Sequence, residues 1–168
     1  MLTTVSDWRP MRQSDLGAVD EIAKIVHPAY PEDIAVATER LALFPQGCFI
    51  AEGEAGPLGY AISHPMILGR PAALDSLLGG LPTEADCLFL HDIALTARAR
   101  GLGLGRLLIA RLREVATRQG LARLALVSVN NSQAYWQAQG FEALAPDAAL
   151  ATKLASYGDD AAYMARVL

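Results

Sequence analysis

Apolar residues recur along the chain with two periods, one typical of helices and one of strands. Apolar positions spaced three and four residues apart predict three main helices. The first begins at the N-cap Ser14 and ends before Pro28, the second covers about 33–43, and the third covers about 103–119. Gly120 follows the third helix directly, as expected for a helix C-terminus.

Short apolar runs between these helices predict strands. They cover residues 8–11, 47–53, 58–67, 87–95, 121–129, 141–144 and 162–168. A glycine and proline turn at 53–57 makes the second and third strands an antiparallel hairpin. The succession of strand 87–95, helix 103–119 and strand 121–129 predicts a right-handed crossover and a parallel pair. The sequence therefore predicts a mixed α/β sheet.

Residues 68–86 fit neither period and contain three glycines and two prolines. A connection of that length inside a compact domain is usually either functional or flexible. No repeat, low-complexity tract or linker interrupts the chain, so we expect residues 1–168 to form one domain.

Composition and charge exclude several classes of protein. The 168 residues are 52% hydrophobic with a net charge of −4, which excludes a disordered chain and argues against a nucleic-acid partner. No apolar stretch is long enough to cross a membrane, and residues 1–10 lack an apolar signal region. We therefore expect a cytoplasmic protein that binds no membrane. Cys48 and Cys87 lie in apolar runs without metal-ligand spacing, so we expect no metal.

A glycine and arginine segment between a buried strand and the third helix is the strongest chemical signal. It contains Arg98, Arg100 and Arg106 together with Gly101, Gly103 and Gly105. Glycines allow close approach of a ligand to the backbone, and the helix N-terminus that follows favours an anion. Clustered arginines in an acidic chain add positive potential. This pattern predicts a phosphate-containing ligand.

The spacing of the glycines excludes the two commonest phosphate-binding loops. A dinucleotide fingerprint requires a third glycine, but Arg106 or Leu108 stands at that position, depending on the starting glycine. The Gly-Lys-Ser/Thr sequence of nucleoside triphosphate loops is absent.

Two blocks of sequence resemble the GCN5-related N-acetyltransferase (GNAT) superfamily. Arg100, Gly103 and Gly105 match its Arg/Gln-x-x-Gly-x-Gly acetyl-CoA loop, and the segment from Asn131 to Phe141 resembles its later Asn, Ala and aromatic motif. The resemblance implies a mostly antiparallel sheet of six to seven strands, flanked by helices, with splayed central parallel strands. It implies transfer of an acetyl group from acetyl-CoA to a primary amine.

The same resemblance implies which residues bind acetyl-CoA. Backbone groups of three residues in the strand before the loop would pair with the pantetheine arm: Ile93, Ala94 and Leu95. The pyrophosphate would lie on the loop and the first turn of the helix, which are Arg100, Gly101, Leu102, Gly103, Leu104, Gly105 and Arg106. The later motif would add Asn131, Tyr135 and Trp136.

Amine acetylation needs a base because a free amine with a pKa of about 10 is protonated near neutral pH. His91 is the candidate base, and Asp92 is the alternative. Strand alternation predicts that the two side chains point to opposite faces. His27 and His64 have no partner at ligand spacing and are interpreted as structural.

The acid that protonates the CoA thiolate is less clear from the sequence. Many family members have a tyrosine four residues before the Gly-Phe pair, where this chain has Trp136. Tyr135 is the neighbouring candidate, although one helical step turns it about 100° away. Another tyrosine, or no dedicated acid, is equally compatible with the sequence. The missing tyrosine also leaves open a second class, a CoA-binding module without turnover.

The acceptor is only outlined by the sequence. Residues 28–45 and 68–86 are expected to form the walls of its site, and Tyr157 is a further candidate lining residue. Apolar residues in 66–78, with acidic residues around them, favour a small amine that has an apolar part. The resemblance is compatible with a homodimer, although no interface is identified in the sequence.

Overall fold

The computed structural model describes residues 6–168, and all seven of its strands lie in one sheet. The strands are β1 (Asp7–Pro10), β2 (Cys48–Gly53), β3 (Gly56–Met66), β4 (Cys87–Leu95), β5 (Arg123–Ser128), β6 (Glu142–Ala143) and β7 (Ala162–Val167). Their order across the sheet is β1-β2-β3-β4-β5-β7-β6. Every neighbouring pair is antiparallel except β4 and β5, which are parallel. The predicted fold class is confirmed.

Five α-helices of residues 6–168 pack against the sheet. They are α1 (Leu16–Val26), α2 (Ile34–Leu43), α3 (Leu104–Arg118), α4 (Gln133–Ala138) and α5 (Ala148–Ala155). The sequence analysis missed α5, although Asp147 caps its first turn through Leu150 N at 2.8 Å. Ser132 occupies the N-cap position of the short helix α4.

The parallel strands β4 and β5 are paired at one end and separate towards the other. β4 pairs with β5 from Cys87 opposite Arg123 to Leu90 opposite Leu126, and within the described residues the register ends there. β4 nevertheless continues for five residues to Leu95, paired only with β3. The edge of β4 that faces β5 is therefore unpaired over residues 91–95, and a gap opens between the two strands.

An irregularity in the β3–β4 ladder lies at the start of this gap. Ile62 is opposite Asp92 and Ser63 is opposite Leu90, so His91 has no partner of its own across the ladder. This arrangement is a β-bulge, which bends the strand and redirects the side chains that follow it.

The connection over 67–86 contains no helix or strand, as predicted, but it is fastened to α2. The Glu39 carboxylate accepts backbone N–H bonds from Leu78 and Gly79 at 2.7 and 3.0 Å. The buried Arg40 guanidinium donates to Ser76 O at 2.9 Å. These bonds hold the connection over one end of the sheet, next to the gap.

Candidate functional site

A cavity of about 60 Å³ lies beside the bulge in β4. Its lining residues come from the end of α1, the α1–α2 connection, the 67–86 connection, β4, β5 and the region after α5. They are His27, Tyr30, Glu32, Leu74, His91, Asp92, Val127, Val129 and Tyr157. Residues from both segments expected to form the acceptor walls, 28–45 and 68–86, line this cavity together with the candidate Tyr157. That the cavity holds the acceptor stays a prediction.

The bulge corrects the predicted orientation of His91 and Asp92. Regular alternation would send these neighbours to opposite faces of the sheet, but both line the same cavity. The extra residue at position 91 interrupts the period of two, so Asp92 is brought round to the side on which His91 lies. Sequence periodicity alone does not reveal a bulge.

His91 is held by a carboxylate that the sequence analysis did not identify. Its Nε2 lies 3.0 Å from Oε1 and 3.1 Å from Oε2 of Glu32, which is 59 residues away in the chain. Because an ionised carboxylate only accepts hydrogen bonds, Nε2 is the nitrogen that bears the proton. The other ring nitrogen, Nδ1, is buried without a partner among the described residues and carries the lone pair when the ring is neutral.

Glu32 keeps its negative charge in this partly buried position. Burial raises its pKa, but the hydrogen bond and charge of His91, the Asp75 backbone N–H and Arg40 more than compensate. The net effect is a pKa below the usual value for a glutamate. Glu32 therefore accepts from His91 as a carboxylate and fixes its ring orientation, as a histidine partner in a catalytic pair requires.

A second histidine–carboxylate pair lines the cavity, and it includes His27, which the sequence analysis interpreted as structural. His27 Nε2 lies 3.1 Å from Asp92 Oδ1 and 2.9 Å from the Ile93 carbonyl oxygen. The Tyr60 hydroxyl donates to the other carboxylate oxygen of Asp92 at 2.5 Å. Burial lowers the pKa of His27, but Asp92, Ile93 and the charge of Glu32 outweigh burial and raise it overall.

The remaining walls are apolar or aromatic. Leu74, Val127 and Val129 supply aliphatic surface, and the Tyr157 hydroxyl is already bonded to the Ala72 carbonyl oxygen. No lysine or arginine belongs to the lining of this cavity, which is formed entirely by described residues. The cavity thus offers two histidine–carboxylate pairs and apolar surface, but no free cation.

The glycine segment forms an exposed loop that leads into α3. Gly101 and Gly103 adopt φ values of 77° and 69°, in the left-handed region that favours glycine. The backbone is open at both positions, since an added Cβ would contact nothing within 4 Å. The N–H groups in the first turn of α3 have no partner within the helix, and Arg100 and Arg106 are exposed beside them.

The later motif lies next to this loop. A Cβ added to Gly105 would lie 1.9 Å from the Tyr135 hydroxyl, so Gly105 is the residue that admits Tyr135. Tyr135 is about half exposed, and burial raises the pKa of its phenol while nearby Arg106 opposes that change. The structure thus brings Tyr135 together with the loop and not with the lining of the cavity.

The other two residues of the later motif lie in different surroundings, and their expected contact with CoA stays a prediction. Trp136 is 6% exposed and packs edge-to-face on Phe141 with ring centroids 5.6 Å apart, so it belongs to the hydrophobic core. Asn131 is exposed in a left-handed conformation with φ of 57°, and its backbone N–H donates to Asp160.

These features fit a ligand that has a phosphate group and an extended arm. The open glycine backbone and the α3 N-terminus match an anion, and the unpaired edge of β4 over Ile93, Ala94 and Leu95 matches an amide-containing chain. Within residues 6–168, no group of three or more His, Cys, Asp or Glu is arranged to hold a metal ion. None of the helices in that range is both long enough and apolar enough to span a membrane.

His27 and Glu32 are the functional candidates that the sequence analysis missed. His27 lies at the end of the first predicted helix and Glu32 directly before the second, and neither belongs to a spaced motif. Only their proximity to β4 reveals them, and that proximity joins residues 59 to 66 positions apart.

Three comparisons relate this chain to known proteins, by a family model, by sequence and by structure. The model of the acetyltransferase (GNAT) family matches residues 18–141. A comparison with curated protein sequences gave no match. Among solved structures, the loading GNATL domain of CurA from Lyngbya majuscula superposes with a TM-score of 0.79 at 14% identity, covering 98% of both chains.

Two further solved structures contain ligands. The GphF GNAT-like decarboxylase in complex with isobutyryl-CoA gives a TM-score of 0.75 at 16% identity, over 95% of this chain and 98% of that chain. Arabidopsis thaliana Naa50 in complex with the bisubstrate analogue CoA-Ac-MVNAL gives 0.70 at 14% identity, over 98% and 100%. At these identities the likeness concerns the fold.

Proposed function

Because the chain belongs to the acetyltransferase (GNAT) family, we propose that it transfers an acetyl group from acetyl-CoA to a primary amine by direct attack in a ternary complex. The observation that supports this most directly is the cavity at the β4 bulge. This cavity lies beside the gap between β4 and β5, and it is lined by His91, whose tautomer is fixed by Glu32. A nucleophile in the cavity and a thioester in the gap would therefore meet beside His91.

Acetyl-CoA would bind along the gap and the glycine loop. In this proposal the pyrophosphate accepts hydrogen bonds from the backbone N–H groups of 101–106, with Arg100 and Arg106 beside it. The pantetheine amides pair with the edge of Ile93, Ala94 and Leu95 that no strand covers, where the Ile93 carbonyl oxygen already accepts from His27. A backbone N–H of that edge then stabilises the oxyanion that forms when the thioester is attacked.

His91 would be the base that takes a proton from the acceptor nitrogen. Glu32 holds Nε2–H, so the lone pair on Nδ1 is the site that takes the proton from nitrogen. Asp92 remains the alternative base, although its two oxygens are occupied by His27 and Tyr60. Tyr135 stays a candidate for the acid only if it moves away from Gly105 when CoA binds.

The lining of the cavity supports a small amine with an apolar part as the acceptor. An amine whose carbon also bears a carboxylate would bring a negative charge next to Glu32 and Asp92, and no arginine or lysine lines the cavity to neutralise it. We therefore expect simple amines or peptide N-termini to be preferred over free amino acids.

A non-catalytic CoA-binding module is the second candidate. It is favoured by Trp136, which lies in the core at the position where many relatives have the acidic tyrosine. In that case acetyl-CoA would bind without being consumed.

The test follows release of free CoA thiol from acetyl-CoA in the presence of simple amines, polyamines, amino acids and short peptides. We expect amine-dependent release that His91→Ala and Glu32→Gln reduce and Tyr135→Phe leaves largely intact. Stabilisation by acetyl-CoA without release would favour the binding module. Absence of any binding would contradict the assignment of the loop from Arg100 to Gly105.

A further inference from the structure

The cavity contains two histidine–carboxylate pairs, and the proposed base accounts for only one of them. We propose that His27 is a second proton acceptor, which takes the first of the two protons that the acceptor nitrogen loses, while His91 takes the second. This inference rests on the proposed acyl transfer and assigns a separate role to the His27–Asp92 pair.

The chemistry of amine acylation requires two proton transfers. A protonated primary amine has three N–H bonds, whereas the nitrogen of the secondary amide product has one. One proton must leave before attack, to free the lone pair, and the other must leave after the C–N bond forms. Of these two protons, one ends on the CoA sulfur and one in solvent.

In both histidines, Nδ1 is the ring nitrogen that can accept a proton. Nε2 of His27 is engaged with Asp92 and the Ile93 carbonyl oxygen, and Nε2 of His91 is engaged with Glu32. All of these partners are acceptors, so each Nε2 bears hydrogen and each neutral ring has its lone pair on Nδ1. Neither Nδ1 bonds to any of residues 6–168.

The two histidines differ in their access to water, and this difference decides which of them takes the first proton. The side chain of His27 is 22% exposed, so a proton on it exchanges readily with solvent. The side chain of His91 is only 1% exposed and lies in the bulge of β4, beside the gap. A proton on His91 is shielded from water and remains available to the leaving group.

The steps then balance. The ammonium gives a proton to His27 Nδ1, and His27 later releases it to water. The neutral amine attacks the thioester carbon, so that the C–N bond forms and the C–S bond breaks with its electron pair on sulfur. His91 Nδ1 takes the second proton from nitrogen and returns one to the sulfur, which leaves as CoA thiol.

The test compares two acceptors that need different numbers of deprotonations. Ethylamine is protonated near neutral pH, whereas 2,2,2-trifluoroethylamine is neutral there because its fluorine atoms withdraw electron density. His27→Gln keeps an N–H donor for Asp92 and Ile93 but cannot take a proton. We expect it to lower kcat/KM about 100-fold with ethylamine and less than about threefold with the fluorinated amine.

Two further variants complete the experiment. His91→Gln is expected to lose activity with both amines. The control is Lys24→Gln, an exposed change on the helix that His27 caps, and it is expected to keep activity with both amines. Added imidazole should restore ethylamine turnover to His27→Ala, which a purely structural role would not predict. Equal losses with both amines, or none, in His27→Gln would overturn this inference alone. Wild-type protein that acetylates neither amine would overturn the proposed function as well.

Discussion

Burial of His64 should lower the free energy of unfolding of this protein in mild acid. The ring is fully buried in β3, packed edge-on against Phe89 at 5.8 Å between centroids. Burial lowers the pKa of His64 to about 3, with help from the charges of His91 and Arg40 and against the Pro65 carbonyl oxygen and Glu39. Its ordinary value is 6.5.

The sign and size follow from proton linkage. Between the two pKa values the unfolded chain binds a proton at His64 and the folded protein does not, so falling pH favours unfolding. At pH 5 the cost is about 2 kcal/mol, because about 1.5 pH units below the unfolded value contribute about 1.36 kcal/mol each. This figure hardly depends on the folded pKa, as long as that value stays well below 5.

The assay is urea unfolding at pH 7 and pH 5, followed by fluorescence of the two buried tryptophans. His64→Gln retains a donor for Pro65 O but does not titrate, so its stability should fall less between these pH values, by about 2 kcal/mol. The difference between the proteins is the observable, since other groups contribute to both. The same pH dependence in wild type and His64→Gln would refute the argument.

Three other predictions test separate parts of the structure. In the same unfolding assay, His27→Gln should lose more stability than the wild type between pH 7 and pH 5. The pKa of His27 is higher in the folded protein than in the unfolded chain, so protonation of His27 stabilises the wild type at low pH, and this stabilisation is lost as the pH rises through the folded pKa. Gly103→Ala should cost about 1–2 kcal/mol, because φ there is 69°, and should reduce the rise in melting temperature that we expect CoA to give. Trp136→Ala should cost about 3–5 kcal/mol in urea unfolding, as removal of a core side chain does; a loss below about 1 kcal/mol would contradict its packing against Phe141.

The glycine loop and the helices around it were largely predictable from sequence. The apolar spacing of α3 and the glycines at 101 and 103 are local signals, because helix period and left-handed φ depend on neighbouring residues. The α5 helix could also have been found, since Asp147 is a helix cap and Leu150 and Leu154 are four residues apart. Its many alanines weakened the apolar contrast on which the prediction relied.

The sequence by itself determined the class of fold, the parallel crossover and the loop suited to a phosphate, all through patterns that extend over a few turns or strands. Tertiary structure alone decided which side chains share the cavity. The bulge at His91 rotates Asp92 into it, and chain packing brings Glu32 and His27 to β4 from about 60 residues away. Such pairings depend on how whole elements pack, because no local period connects residues so far apart in the chain.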